Sequence, residues 1–330
     1  MNLHKVWLLR LVLPVQYGRV WTGLLLATLL LTLFYAGAAE SSEHRPPALF
    51  FGLIIAYIIP IFSYITAKAQ EAMRALRPIL ALDDTGFEYM YARLDSASLR
   101  LTLVCLGGGA LAECMHLAFI SRSWSAAVAK AVASVSDLLT VVGTLMVWVV
   151  MTTVIAMLIQ QAVIFGRLGG TYARVSLLDT RKLLPFARVS IISSLAIIGA
   201  LALFPLINLE GGLDLAESVP GAVAILGPLI VMFIIPVWPL HQRLVALKNQ
   251  EMLRLLDRIE AVTGNDGSVD LDAGELDALL PLLTYRREVA QLSTWPFNLG
   301  NITTLAFYLV IPPLTWVGAA LIENLVNLLL

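Results

Sequence analysis

The chain contains little charge and little cysteine for its length. Charged residues make up 14% of its 330 residues, whereas hydrophobic residues make up 59%. Because about a quarter of the residues in a typical soluble domain are charged, this composition excludes an ordinary soluble protein. The net charge of -1 gives no basis for a nucleic-acid partner. The only cysteines, Cys105 and Cys114, share one apolar segment, so neither a disulfide scaffold nor a zinc site is predicted.

Histidines and catalytic motifs are scarce as well. The sequence contains neither an H-E-x-x-H nor a G-x-S-x-G motif, and its four histidines are scattered: His4, His44, His116 and His241. A zinc protease or a serine hydrolase needs such motifs to bring its reacting groups together. We therefore predict that the protein is not an enzyme and uses no cofactor and no metal.

Long apolar runs are what the chain has in abundance. An α-helix needs ~20 apolar residues to cross a bilayer core. The runs predict an all-α polytopic membrane protein with seven transmembrane helices and, at residues 1–19, a short interfacial helix. The first run ends in Ala36–Ala38, typical of a signal-peptide cleavage site, but its length favours an uncleaved anchor. The spans are predicted at 20–39, 48–67, 101–120, 138–165, 189–209 and 221–240, with the last span and an outer tail at 301–330.

The distribution of basic residues predicts the orientation. With the amino terminus in the cytoplasm, Arg45, Arg122 and Lys130 are the only lysines and arginines of the 22 that fall outside. The positive-inside rule therefore predicts the amino terminus inside and the carboxyl terminus outside, which excludes the G-protein-coupled receptor arrangement. We expect a multi-pass protein of the cell membrane, the inner or plasma membrane, with the lipid bilayer as its first partner.

Two polar regions predict cytoplasmic helical hairpins. In residues 68–100, Asp83 and Asp84 stand where they cap a second helix. In residues 241–300, two amphipathic helices are separated by an acidic turn. That turn, 266–272, resembles the later part of an EF-hand loop, but the aligned ligand positions lack side-chain oxygens, so a capped turn is predicted instead of a calcium site.

One face of the last span is polar. Residues at helical spacing form a stripe of hydrogen-bonding side chains, namely Thr304, Tyr308, Thr315, Glu323 and Asn327. Lipid tails offer such groups no partner, so the stripe is predicted to face other helices or water. Two interpretations are open: it lines the pore of an oligomeric, possibly tetrameric ion channel, with Glu323 as an outer acidic ring, or it packs inside one chain.

The third span contains an ionisable pair. Glu113 and His116 share a helix face because they are three residues apart. Inside a bilayer such a pair marks a functional site, which favours a transporter or small-molecule sensor. If the span ends early, both side chains instead lie in the outer headgroup region. Three glycines precede the pair, at 107–109, and either weaken the helix or admit a close neighbour.

A third functional hypothesis is a non-catalytic scaffold whose hairpin at 241–300 binds a partner.

The segment around Leu82, Asp83, Asp84 and Phe87, together with 294–297, resembles a widespread family of uncharacterised bacterial multispanning proteins. This resemblance implies the fold and no activity. The topology is also similar to the insect odorant and gustatory receptor type of ion channel, which implies a homo-oligomer, a tetramer with the last helix along its pore. The ion or small-molecule ligand stays unknown.

Overall fold

The structure is a computed structural model that describes residues 3–37, 45–121, 123–177, 179–203, 206, 227–263, 273–295 and 303. Its fold is all-α. The predicted last span, with the stripe from Thr304 to Asn327, lies outside the described residues. Six helical segments have the length and composition to cross a membrane: Gly18–Ala36, Arg45–Ile79, Leu99–Phe119, Val135–Tyr172, Arg181–Ala202 and Gly227–Thr263.

The long helices extend beyond the predicted spans. Ser134 caps the largest one, since its hydroxyl oxygen accepts a hydrogen bond of 3.0 Å from the Asp137 backbone N–H. The structure contains the helices α1 (Trp7–Arg10), α2 (Gly18–Gly37), α3 (Arg45–Leu76), α4 (Asp84–Ala92), α5 (Leu99–Ser121), α6 (Trp124–Ala131), α7 (Val135–Arg167), α8 (Leu184–Ala202), α9 (Trp238–Thr263) and α10 (Ala273–Gln291).

Helix α3 is central and helices α2 and α5 are peripheral. Within their apolar windows, 61% of the residues in α3 are buried in the protein, against 17% in α2 and in α5. Helix α2 packs along α3, where Gly52 contacts Leu31 and Gly23 lies against Ala56 and Pro60. Small residues on both helices allow this close antiparallel approach. The outward faces of α2 and α5 remain apolar and exposed, as lipid contact requires.

Helix α7 runs parallel to α3. Phe51 packs over Gly143 near one end of the pair, and the Gln161 side-chain amide donates to the Thr66 hydroxyl at 3.1 Å near the other end. From the first of these contacts to the second, the residue numbers rise in both helices. The second and fourth spans therefore run in the same direction. This is expected for alternate spans of a chain that crosses a membrane back and forth.

The amino-terminal segment differs from the predicted interfacial helix. It is helical only at Trp7–Arg10, and Leu3–Lys5 forms a strand, β1, that pairs antiparallel with β2, Ser96–Ser98. The pairing continues into a hydrogen bond of 3.0 Å from the Val6 N–H to the Asp95 carbonyl. Strands this short give no hydrophobic alternation, so sequence periodicity could not reveal them.

The polar region 68–100 also begins differently from the predicted separate helix. Helix α3 continues without interruption from the span to Leu76, followed by a 3₁₀ turn at Arg77–Ile79. Asp83 then occupies the N-cap position of α4 and accepts a hydrogen bond from the Thr85 hydroxyl, while Asp84 forms an ion pair with Arg77. The predicted capping position is therefore occupied, but the Asp83 carboxylate makes no cap hydrogen bond to the helix backbone.

The prolines of the predicted sixth span interrupt its helix. Residues 227–234 are helical, residues 235–237 form a turn around Pro236, and α9 starts at Trp238 with Pro239 in its first turn. Pro236 has no N–H to donate and Pro239 suits a helix start, so the break lies where both are tolerated. Helices α9 and α10 pack against each other, with Lys248 donating to the Ala290 and Leu292 carbonyls at 2.7 and 2.8 Å.

Candidate functional site

Glu113 is the one acidic or basic residue among the buried residues of the described part of the chain. It is 4% exposed and lies on the face of α5 that packs against α7. Its Oε1 accepts a hydrogen bond of 2.5 Å from the Thr144 hydroxyl. Its Oε2 is buried and has no hydrogen-bond partner among the described residues. The described residues therefore satisfy one oxygen of this carboxyl group and leave the other without a hydrogen bond.

His116 is the ionisable neighbour of Glu113 on α5. Its Nδ1 lies 3.8 Å from Glu113 Oε2, and its side chain is 21% exposed against 5% for that of Glu113. Its ring also contacts the Trp148 ring on α7, with a centroid distance of 5.7 Å. The separation is too long for a hydrogen bond but short enough for electrostatic attraction when the imidazole is protonated. The pair predicted from sequence is thus brought together, with Thr144 as a third member.

The position of Thr144 along α7 indicates the depth of this site. With a rise of ~1.5 Å per residue along the helix axis, Thr144 lies ~10 Å from Asp137 and ~24 Å from Gln160. The distance between Asp137 and Gln160, ~34 Å along the helix, is close to the thickness of a bilayer core. Between these two polar positions, Glu113 stands well inside the apolar zone. This geometry favours the intramembrane interpretation over a headgroup location.

Gly109 determines how closely α5 and α7 approach. A Cβ added there would lie 2.7 Å from the Val149 Cα, whereas Gly107 and Gly108 face no atom within 4 Å. One turn away, the Thr152 hydroxyl donates to the Cys105 carbonyl at 3.0 Å. Of the three glycines, only Gly109 is thus required by a neighbour. Its contact brings α7 near enough for Thr144 to reach Glu113.

A second polar level lies at the Gln160 end of α7. The Gln160 amide nitrogen donates to the Arg93 and Ser96 carbonyls at 2.6 and 3.0 Å, and that of Gln161 donates to the Leu94 carbonyl at 2.8 Å. These bonds fix the loop that precedes β2. Both glutamines lie within the fourth span predicted at 138–165, but the sequence does not reveal their partners, because every residue carries a backbone carbonyl.

An aromatic cluster joins α9 to the residues that precede the last span. The Trp295 ring stacks on His241 with a centroid distance of 3.9 Å and an interplanar angle of 14°. Trp238 lies 6.3 Å from the Trp295 ring, and His241 Nδ1 lies 3.1 Å from the Thr294 carbonyl oxygen. The predicted stripe itself, Thr304, Tyr308, Thr315, Glu323 and Asn327, lies outside the described residues.

Comparison with known proteins leaves the family open. No family model matches the sequence, and no curated protein and no solved structure matches the chain. The resemblances inferred from sequence stay predictions. Among the described residues, no group of three histidines, cysteines or carboxylates is placed to hold a metal ion. The candidate site therefore consists of a buried carboxyl group, a hydroxyl and an imidazole.

Proposed function

We propose that the protein is a multi-pass membrane protein that couples proton binding at Glu113 to the transport or sensing of a small molecule. The observation that supports this proposal is the buried Glu113 carboxyl group with one oxygen held by Thr144 and the other without a partner. An ionised carboxylate is costly in an apolar interior unless it is paired. Its charge state therefore depends on what occupies the space beside Oε2, which is the property that a coupling residue needs.

His116 supplies the second element of coupling. A protonated imidazole 3.8 Å from Oε2 favours the ionised carboxylate, whereas a neutral imidazole leaves it unpaired. The imidazole is the more exposed of the two groups and is the one that exchanges protons with the surroundings in this proposal. Transfer of its proton to the carboxylate converts an ion pair into a neutral pair inside the α5–α7 contact, with no change in net charge. Movement of those helices, or binding of a solute beside Oε2, is favoured in one charge state over the other.

The contacts between α5 and α7 agree with two consecutive spans that cross in opposite directions. Seven spans with the amino terminus inside make α5 and α7 consecutive crossings of opposite sense. The contacts agree with opposite crossings, since Cys105 pairs with Thr152 while Glu113, further along α5, pairs with the earlier Thr144. The described residues contain six candidate spans, and the seventh is part of the proposal.

Solid-supported membrane electrophysiology of proteoliposomes tests the transport proposal. Amino acids, organic cations and organic anions are added singly, with and without a proton gradient. We expect at least one solute to evoke a current that depends on the gradient, and Glu113→Gln to abolish that dependence because an amide cannot release a proton. Glu288→Gln, an exposed carboxylate on α10, is the matched control. A wild-type response without proton dependence, or one unchanged in Glu113→Gln, would reject the coupling role.

The ion channel is the second candidate, and the aromatic cluster favours it. Stacking of Trp295 on His241 attaches the residues that precede the predicted last span to α9, so motion of α9 and α10 would be transmitted to a pore-lining helix. Planar-bilayer recording tests this candidate. We expect a cation conductance that Glu323→Gln lowers and Glu288→Gln leaves intact. A monomer in native-like membranes, or the absence of conductance at every voltage, would contradict it.

A further inference from the structure

We propose that the cleft between the end of α7 and the start of α9 binds the phosphate group of an anionic membrane lipid, with Arg167 and Arg243 as its ligands. The cleft has a volume of about 580 Å³. This inference does not depend on the transport proposal, since it concerns a different surface of α7.

The cleft changes character along its length. Val163 and Ile235 line its apolar part, and Arg167, Thr171, Gln242 and Arg243 line its polar part. A phospholipid likewise has an apolar part and a polar part. Its acyl chains would lie beside the apolar part of the cleft, and its phosphate would lie beside the arginines. Arginine is the preferred side chain for phosphate because its planar fork can donate two parallel hydrogen bonds. An inorganic anion would leave the apolar part of the cleft unused.

The basic side chains of this region lack acidic partners. Among the described residues, no carboxylate forms an ion pair with Arg167, Arg243 or Arg93. Arg243 donates to the Gly170 carbonyl at 3.3 Å, which orients its guanidinium toward the end of α7. Arg167 also lines a neighbouring cleft of about 380 Å³ together with Arg93, whose Nε is buried without a hydrogen-bond partner. Guanidinium groups that have no carboxylate partner among the described residues can bind an external anion.

The backbone of this region is shaped to leave room for a ligand. Helix α7 ends in a π-helical turn, Leu168–Tyr172, and Gly170 lies against Pro239. Arg167 lies ~10 Å beyond Gln160 along α7. With Gln160 at the edge of the apolar core, Arg167 is therefore in the headgroup region, where lipid phosphates lie. Its position favours a lipid phosphate over a free one.

Native mass spectrometry of the full chain in detergent tests the proposal. Phosphatidylglycerol and phosphatidylcholine with identical acyl chains are the probes. We expect preferential retention of phosphatidylglycerol, reduced about fivefold by Arg167→Gln and again by Arg243→Gln, since each basic residue adds attraction of that order at an anionic surface. Arg258→Gln, an exposed arginine elsewhere on α9, is the matched control and should retain wild-type binding.

Three outcomes would overturn the proposal. Equal retention of phosphatidylglycerol and phosphatidylcholine would show that the cleft does not select an anionic headgroup. An equal loss in Arg258→Gln would show that the attraction is a general effect of surface charge. Displacement of phosphatidylglycerol by glycerol 3-phosphate at the same concentration would identify a soluble-anion site instead of a lipid site. Thermal unfolding in phosphatidylcholine identifies a variant that does not fold, and Arg167→Lys, which keeps the charge but not the fork, then replaces it and is expected to bind less tightly than wild type.

Discussion

Two levels along α7 join neighbouring spans through polar side chains, and they differ in what those side chains bind. At the Gln160 end, both glutamine amides donate to fixed backbone carbonyls, and among the described residues Gln161 Oε1 and Arg93 Nε lack a hydrogen-bond partner. At the Thr144 level, an ionisable group is buried with one oxygen unpartnered. A neutral group that satisfies backbone carbonyls stabilises one arrangement, whereas a half-paired carboxyl group is sensitive to its charge state. The first level is structural and the second is suited to function.

Replacement of Gln161 should have the largest effect on stability. Gln161→Ala removes the donor to the Leu94 carbonyl and the Thr66 hydroxyl and leaves a cavity at a residue that is 1% exposed. We expect the free energy of unfolding to fall by about 3 kcal/mol. Unfolding by sodium dodecyl sulfate in mixed micelles measures it, with the exposed Gln291→Ala as control. Equal small changes in both variants would contradict a structural role for this level.

Two glycine variants, Gly109→Ala and Gly108→Ala, test whether close packing of α5 on α7 positions Thr144 beside Glu113. Gly109→Ala places a methyl group 2.7 Å from the Val149 Cα and should cost about 2 kcal/mol, because backbone must move. Gly108→Ala meets no atom within 4 Å and should stabilise the helix by about 0.5 kcal/mol. The same unfolding assay compares the two. Similar effects at both positions would mean that Gly109 does not set the helix spacing.

Glu113→Gln should change stability less than either of these variants. The amide keeps the volume and can still accept a hydrogen bond from Thr144, while the cost of burying a charge disappears. We expect the free energy of unfolding to stay within about 1 kcal/mol of wild type or to rise. The proton dependence of transport should be lost in the same variant. A loss of stability as large as that of Gln161→Ala would instead make Glu113 a structural residue.

Sequence reasoning found the carboxyl group and the imidazole but not the third member of the site. The spacing of Glu113 and His116 predicts a shared face because both lie on one helix. Thr144 belongs to another helix, and its approach depends on the contact at Gly109, which looks the same in the sequence as Gly107 and Gly108. The spans followed from composition, whereas the β1–β2 pairing and the glutamine contacts depend on backbone groups that every residue carries.

Asp83 is an exposed carboxylate, in contrast to the buried Glu113. Its replacement should have the smallest effect on the free energy of unfolding. The hydrogen bond from the Thr85 hydroxyl holds the pKa of Asp83 below its ordinary value. A lowered folded-state pKa means that the ionised group stabilises the protein above the unfolded-state pKa, and that this contribution is lost as the pH falls through the folded-state value. Asp83→Asn should therefore be slightly less stable than wild type at pH 7, and the difference should shrink as the pH falls through the folded-state pKa. Unfolding measured across this range checks the sign, with the exposed Asp257→Asn, whose carboxylate has no such hydroxyl partner among the described residues, as control. A difference that grows on acidification would show that the Thr85 hydrogen bond does not favour the charged form.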